Sequence, residues 1–143
     1  MIEIFVWREL GDFPAFGADD PYGFCLESDG PFRIDLRPMV VQLADDLVDE
    51  TPVGVVAAKF HNTLAASLLA AARRARELTE LRLVLLSGGC FMNRYLTDRL
   101  VVALKAEGFE VLTHRTITPN DGGVALGQAV VAATALLNDG GPT

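Results

Sequence analysis

Histidine is scarce in this chain. His61 and His114 are the only two, and they share neither HxxxH nor HExxH spacing, so no histidine metal motif is present. Cysteine is equally scarce. Cys25 and Cys90 stand far apart without a CxxC pair, which removes the usual zinc and dithiol redox motifs. Separated free thiols in an acidic chain fit the cytoplasm. Basic residues are outnumbered, 12 Lys and Arg against 19 Asp and Glu, for a net charge of -7. Attraction to nucleic acid phosphates needs a basic surface, so no nucleic-acid partner is expected. Any anion must be held locally, by backbone N–H groups or a few side chains. The basic start and long apolar stretch of a secretory signal are missing too. The longest weakly polar run, residues 124–137, is alanine-rich and interrupted by Gln128 and Thr134. It is too short to span a bilayer, so no membrane partner is expected. GxGxxG, P-loop and GxSxG signatures are all absent.

What remains is an apolar chain of 143 residues, 50% hydrophobic, enough for one domain or one large lobe with a packed core. Residues 1–20 read as an irregular N-terminal segment and 21–143 as a single lobe. Short strands are expected at 2–7, 22–26 and 32–36, with a turn at 28–31. Trp7, Phe13 and Phe16 read as packing residues rather than a base-stacking platform. Pro38 opens a helix to about residue 49, with Met39, Val40, Leu43 and Leu47 on one face. Thr51-Pro52 reads as an N-cap followed by proline at the first position of a long helix to about residue 79. Val56, Phe60, Leu64 and Leu68 form its expected buried stripe. Arg73, Arg74 and Arg76 near its end read as a solvated face.

Residues 81–86 are almost wholly apolar and read as a central strand buried on both faces. A helix at 95–107 closed by Gly108, a strand at 109–113 and a last helix at 121–137 follow. This alternation implies parallel strands with helices on the faces. Ligands of such sheets bind beyond the carboxyl ends of the strands. Two loops follow strands there: Ser87-Gly88-Gly89, and Pro119-Asn120-Asp121-Gly122-Gly123.

Each loop has a structural and a functional meaning. Gly88 and Gly89 serve a tight turn or the approach of a phosphate or ribose to the main chain. Asn93 suits an N-cap or a nucleoside. Asp121 can cap the last helix or hold a divalent metal, and the two glycines after it are unusual for plain capping. His61 is a packed helix histidine or an anion or metal ligand. His114 reads as a loop residue. No base is placed by sequence beside Ser87 or Cys90, so neither reads as a nucleophile.

Three segments in order, Phe60-His61-Asn62-Thr63-Leu64-Ala65, Leu86-Ser87-Gly88-Gly89-Cys90-Phe91-Met92-Asn93-Arg94 and Pro119-Asn120-Asp121-Gly122-Gly123-Val124-Ala125-Leu126-Gly127-Gln128, give a family resemblance. Over about residues 22–137 the chain resembles the C-terminal end of the HypF carbamoyltransferases of [NiFe]-hydrogenase maturation. The resemblance implies an α/β fold: the second lobe of a ribonuclease-H-like, actin-like ATPase (ASKHA) domain, with a mixed sheet whose parallel strands are flanked by helices. It implies transfer of a carbamoyl group from carbamoyl-adenylate, made from ATP and carbamoyl phosphate, to a C-terminal cysteine of a HypE-like partner.

On the same resemblance, Ser87, Gly88, Gly89, Asn93, Gly122 and Gly123 hold the nucleotide. Asp121 is a ligand of a divalent metal (Mg, Zn or Fe), and His61 is a catalytic-site residue. The family's HxxxH pair, which belongs to the first lobe, has no counterpart here. The chain is then expected to be inactive alone, to need a chain or domain supplying the first lobe, and to self-associate as a homodimer through its uncovered cleft wall. Two alternatives stand beside this: a non-catalytic nucleotide- or partner-binding module, and a lobe of a Kae1/TsaD-like tRNA-modifying enzyme.

Overall fold

The computed structural model describes residues 20–27, 33–117 and 120–139. The expected strand at 2–7, the turn at 28–31, the packing assigned to Trp7, Phe13 and Phe16, and the last four residues of the tail lie outside the described residues.

Strands β1 (Cys25–Glu27) and β2 (Arg33–Asp35) pair antiparallel, with Cys25 opposite Asp35 and Glu27 opposite Arg33. The Asp35 carboxylate accepts the Arg37 backbone N–H at 3.0 Å, just ahead of helix α1 (Arg37–Val48), whose N-cap residue Leu36 makes no side-chain bond and which has Pro38 in its first turn. Met39 of the expected apolar face is buried and Leu43 half-buried. Val40 and Leu47, however, are exposed. Helix α1 packs mainly on the helix that follows, so a narrow line of residues is covered rather than a broad stripe.

Helix α2 (Val53–Thr79) does not begin as expected. Pro52 occupies the N-cap position without a side-chain bond. Thr51 instead folds back on α1, its N–H donating to the Asp46 carbonyl at 2.9 Å. The expected stripe is only partly inside, with Leu64 and Leu68 packed against the edge of the core. Val56 is buried, but Phe60, Leu64 and Leu68 are half-buried, while Ala57, Ala58, His61, Asn62, Thr63, Ala65 and Ser67 lie inside. Alanines admit close neighbours, and the buried polar groups are satisfied locally. Thr63 Oγ1 donates to the Lys59 carbonyl at 2.7 Å and accepts from the Tyr22 N–H at 2.8 Å. Ser67 Oγ donates to the Leu64 carbonyl at 2.9 Å. By length and composition α2 could cross a membrane, yet this polar, buried face is that of a core helix.

The crossover unit follows. Strands β3 (Leu83–Leu86) and β4 (Glu110–Thr113) run parallel, joined by a 3₁₀ turn (Gly89–Met92) and helix α3 (Arg94–Ala106). Gly108, at φ +78°, closes α3 in the left-handed conformation that glycine tolerates best. The core gathers Ala65, Leu86, Leu96, Leu100, Leu104 and Phe109 between α2, α3 and the strands. Leu104 is 0% exposed.

The α/β class with parallel strands stands, but among the described residues the strands are divided between two separate two-stranded sheets, one antiparallel and one parallel. β3 is not buried on both faces. Leu86 is buried and Val84 half-buried against the core, whereas Leu83 and Leu85 are 54% and 62% exposed. Leu112 of β4 is exposed too. Alternate residues of a strand point to opposite faces, and α2 and α3 cover one of them. Helix α4 (Val124–Asp139), entered through a 3₁₀ turn (Asp121–Gly123), leaves Val124, Leu126, Val130, Val131 and Leu136 exposed.

The arginines near the end of α2 are more than a solvated face. Arg73 pairs with the Glu107 carboxylate. Arg76 donates to the Glu107 carbonyl at 2.8 Å and lies 4.3 Å from the centroid of the Phe109 ring. Together they fasten the end of α2 to the turn after α3.

Candidate functional site at the strand ends

The parallel register sets Leu86 opposite Thr113. The next residue on each strand is Ser87 on one side and His114 on the other. Their side chains meet, His114 Nε2 to Ser87 Oγ at 2.9 Å. They line a cavity of about 690 Å³ with Gly88, Asn120, Asp121 and Gly123. Apolar wall comes from Ile117 and from Val124, Leu126 and Val130 of α4. The cavity thus lies at the carboxyl ends of the strands, between them and the start of α4.

Gly88 holds φ +112°, a conformation that a residue with a Cβ adopts only under strain. Adjacent residues aside, no atom of the described residues lies within 4 Å of where a Cβ would sit on Gly88 or on Gly89. The requirement at Gly88 is therefore conformational, and the space beside both residues is open. Asn93 is the N-cap of α3, its Oδ1 accepting the Leu96 N–H at 3.2 Å.

The opposite end of the Asn93 amide reaches His61. Asn93 Nδ2 lies 2.7 Å from His61 Nε2, and His61 Nδ1 lies 2.7 Å from the Ala57 carbonyl. A carbonyl can only accept, so Nδ1 carries the proton and Nε2 accepts from Asn93. His61 is 3% exposed and is fixed in the tautomer that holds the asparagine. The His61 ring meets the Phe60 and Tyr95 rings edge-on at 5.3 and 5.7 Å. Tyr95 in turn donates to Asn62 Oδ1 at 2.9 Å.

The acidic turn is capped by Asn120, whose Oδ1 accepts the Gly122 N–H at 3.1 Å. The capping role open to Asp121 is thus filled by its neighbour, and Asp121 lies on the cavity wall. Asn120 Nδ2 also contacts Met92 Sδ at 3.3 Å, joining the acidic turn to the glycine loop. Ser87, Gly88, Asp121 and Gly123 therefore share one cavity, while Gly89, Gly122, Asn93 and His61 are not among the residues that line it. Among the described residues no group of three His, Cys, Asp or Glu side chains converges as a metal site would require. Asp121 alone does not make one. Sequence reading missed His114, whose only signal was its place one residue beyond a strand.

Away from the cavity, Asp46 Oδ2 accepts from Tyr22 Oη and from Lys59 Nζ, each at 2.5 Å. The Lys59 ammonium lies 4.3 Å from the Tyr22 ring centroid. The bond from Lys59 and then that from Tyr22 hold the Asp46 carboxyl below its ordinary range. Burial first, then Asp46, pushes the Tyr22 phenol up. This cluster ties residue 22 to α1 and α2.

The fold and this geometry can be set beside known proteins. Residues 13–128 match the family described as carbamoyltransferase, Kae1-like domain, second subdomain. The chain is 43% identical over 131 residues to carbamoyltransferase HypF2 of Cupriavidus necator, covering 89% of this chain and 16% of that protein. It is 40% identical over 111 residues to carbamoyltransferase HypF of Rhizobium leguminosarum bv. viciae, covering 77% and 14%. A crystal structure of full-length HypF in its phosphate- and nucleotide-bound form matches with a TM-score of 0.78 at 36% identity, over 82% of this chain and 16% of that one. The chain therefore spans a small part of the relatives it resembles. A family match over most of its length, with relatives at this identity, shows that the chain belongs to the second subdomain of the Kae1-like domain of HypF-type carbamoyltransferases.

Proposed function

We propose that this chain is the nucleotide-holding second lobe of a cytoplasmic carbamoyltransferase that passes a carbamoyl group from carbamoyl-adenylate to a cysteine thiol at the C-terminus of a HypE-like maturation partner. One observation carries this proposal: the glycine loop and the acidic turn meet in a single cavity at the ends of parallel strands, where such folds place ligands. The phosphate- and nucleotide-bound state of the HypF neighbour supports it.

In this proposal Ser87, Gly88 and Gly89 offer hydroxyl and backbone N–H donors to the nucleotide, while Gly122 and Gly123, whose N–H groups are bonded to Asn120, give it room to approach the main chain. The first 3₁₀ turn begins at Gly89 and the second contains Gly122 and Gly123, and glycines there let a phosphate or ribose approach the main chain. The thiol attacks the carbamoyl carbon, a C–S bond forms, the C–O bond to the phosphate breaks, and AMP leaves while the thiol proton goes to solvent. Negative charge grows on the departing phosphate, and donors fixed in place before the reaction stabilise it. Asn93 is held beside the loop by His61, which makes His61 a positioning residue in this account rather than a proton donor. Asp121 supplies one carboxylate. Any divalent cation on it needs further ligands from the first lobe.

Calorimetric titration of AMP into the intact protein tests the proposal. Binding that weakens on substitution of Gly88 supports it. Absence of AMP binding to a folded protein favours a non-catalytic module instead.

A further inference from the structure

We infer that His114 is a phosphate-positioning residue of the cavity, acting through the Ser87 hydroxyl. The inference rests on the nucleotide proposal above and goes beyond it, since the sequence marks His114 as nothing more than a loop residue. Of the described residues lining the cavity, only Asp121 and His114 carry an acidic or basic side chain. Asp121 is an acceptor and repels an anion. His114 is therefore the one lining side chain that combines a ring N–H with the capacity for positive charge. Its Nε2 lies 2.9 Å from Ser87 Oγ. The serine carries one proton, so only one of two arrangements stands at a time. Either Ser87 donates to His114 and turns its lone pairs to the cavity, or His114 donates to Ser87 and the hydroxyl proton is free to point elsewhere.

A phosphate selects the second arrangement. With His114 Nε2–H donating to Ser87 Oγ, Ser87 O–H can donate to a phosphate oxygen, and each bond polarises the next. Gly88, next along the chain, lines the same cavity, so the glycine loop and the imidazole would act on one group. The neutral or the protonated ring can do this, provided Nε2 carries hydrogen. Glutamine at this position offers an N–H at a comparable reach, and alanine offers none.

The test titrates AMP and adenosine separately into the intact wild-type protein and into His114→Ala, His114→Gln and Ser87→Ala. A hydrogen bond to a charged group is worth roughly 10-fold or more in affinity. AMP affinity is expected to fall about 10-fold in His114→Ala and in Ser87→Ala, with little further loss in the double variant, because the two side chains act as one unit. Adenosine affinity is expected to stay unchanged in all of them, which also reports that each variant is folded. His114→Gln is expected to keep most of the AMP affinity. His114→Ala binding AMP as wild type does, or losing AMP and adenosine alike, overturns the role of His114 while leaving the nucleotide proposal standing. A wild-type protein that binds neither ligand overturns both.

Discussion

At the scale of single residues, Asn93 shows how an ambiguous side chain is resolved by its neighbours. The choice between helix cap and nucleoside ligand is open in the sequence. The structure uses Oδ1 for the cap and Nδ2 for His61. Replacing Asn93 with alanine removes the cap, worth about 1 kcal/mol, and leaves a buried imidazole nitrogen without its donor, a further ~1–3 kcal/mol. Urea unfolding of Asn93→Ala should therefore show a loss of about 2–4 kcal/mol, and a loss below 0.5 kcal/mol would contradict this account of the pair. Gly88 makes a different demand. Its φ of +112° costs any residue with a Cβ about 1–3 kcal/mol, although the space around it is open. Gly88→Ala should lower stability by that amount and weaken AMP binding together, as denaturant titration and calorimetry would show.

At the scale of elements, the crossover from β3 to β4 was the most legible part of the chain. A short apolar run ended by Ser87-Gly88-Gly89 is a strand meeting a turn, and Gly108 closes α3 in the left-handed conformation expected of it. What the sequence concealed depends on distant partners. Val40 and Leu47 fit an apolar helical face, yet α1 has too little covering it to bury them. Phe60, Leu64 and Leu68 fit a stripe, and Leu64 and Leu68 do pack against the core, yet the most deeply buried positions of α2 are smaller or polar residues such as Ala58, His61 and Ala65. The Ser87 to His114 contact follows from strand register, which no local pattern encodes.

Two further predictions belong to elements. Leu104 is 0% exposed in the last turn of α3, so Leu104→Ala should cost about 2–5 kcal/mol in chemical unfolding. The Tyr22, Asp46 and Lys59 cluster should give an acid limb to stability. The Asp46 carboxyl is depressed in the folded protein, chiefly by the bond from Lys59. Its contribution is therefore complete above the ordinary carboxylate range and is lost as pH falls through the lower, folded value. Asp46→Asn should flatten the fall in thermal midpoint on acidification, and an unchanged acid profile would contradict the linkage.

At the scale of the whole molecule, the apolar residues on the outer face of the parallel sheet and on α4 are the main departure from a closed core. Leu83, Leu85 and Leu112 line the sheet face that α2 and α3 leave open, and Val130, Val131 and Leu136 are uncovered on α4. Expectation of a strand buried on both faces came from an apolar run that would suit a larger sheet. The chain spans 16% of its HypF2 relative, and we propose that another lobe covers these surfaces in the complete enzyme. Isolated, such a surface favours self-association. Light scattering of the chain alone should show a dimer or larger species, reduced by Leu85→Glu, and a clean monomer at high concentration would contradict it.

The central claim is that the loops after β3 and β4 form one nucleotide site. Selective ¹⁵N-glycine labelling of the intact protein, followed during titration with AMP, tests it most directly. The account predicts that the signals of Gly88, Gly89, Gly122 and Gly123 shift together with one dissociation constant, while Gly108, at the far end of α3, stays in place. Saturable AMP binding that leaves the four loop glycines unmoved would contradict it.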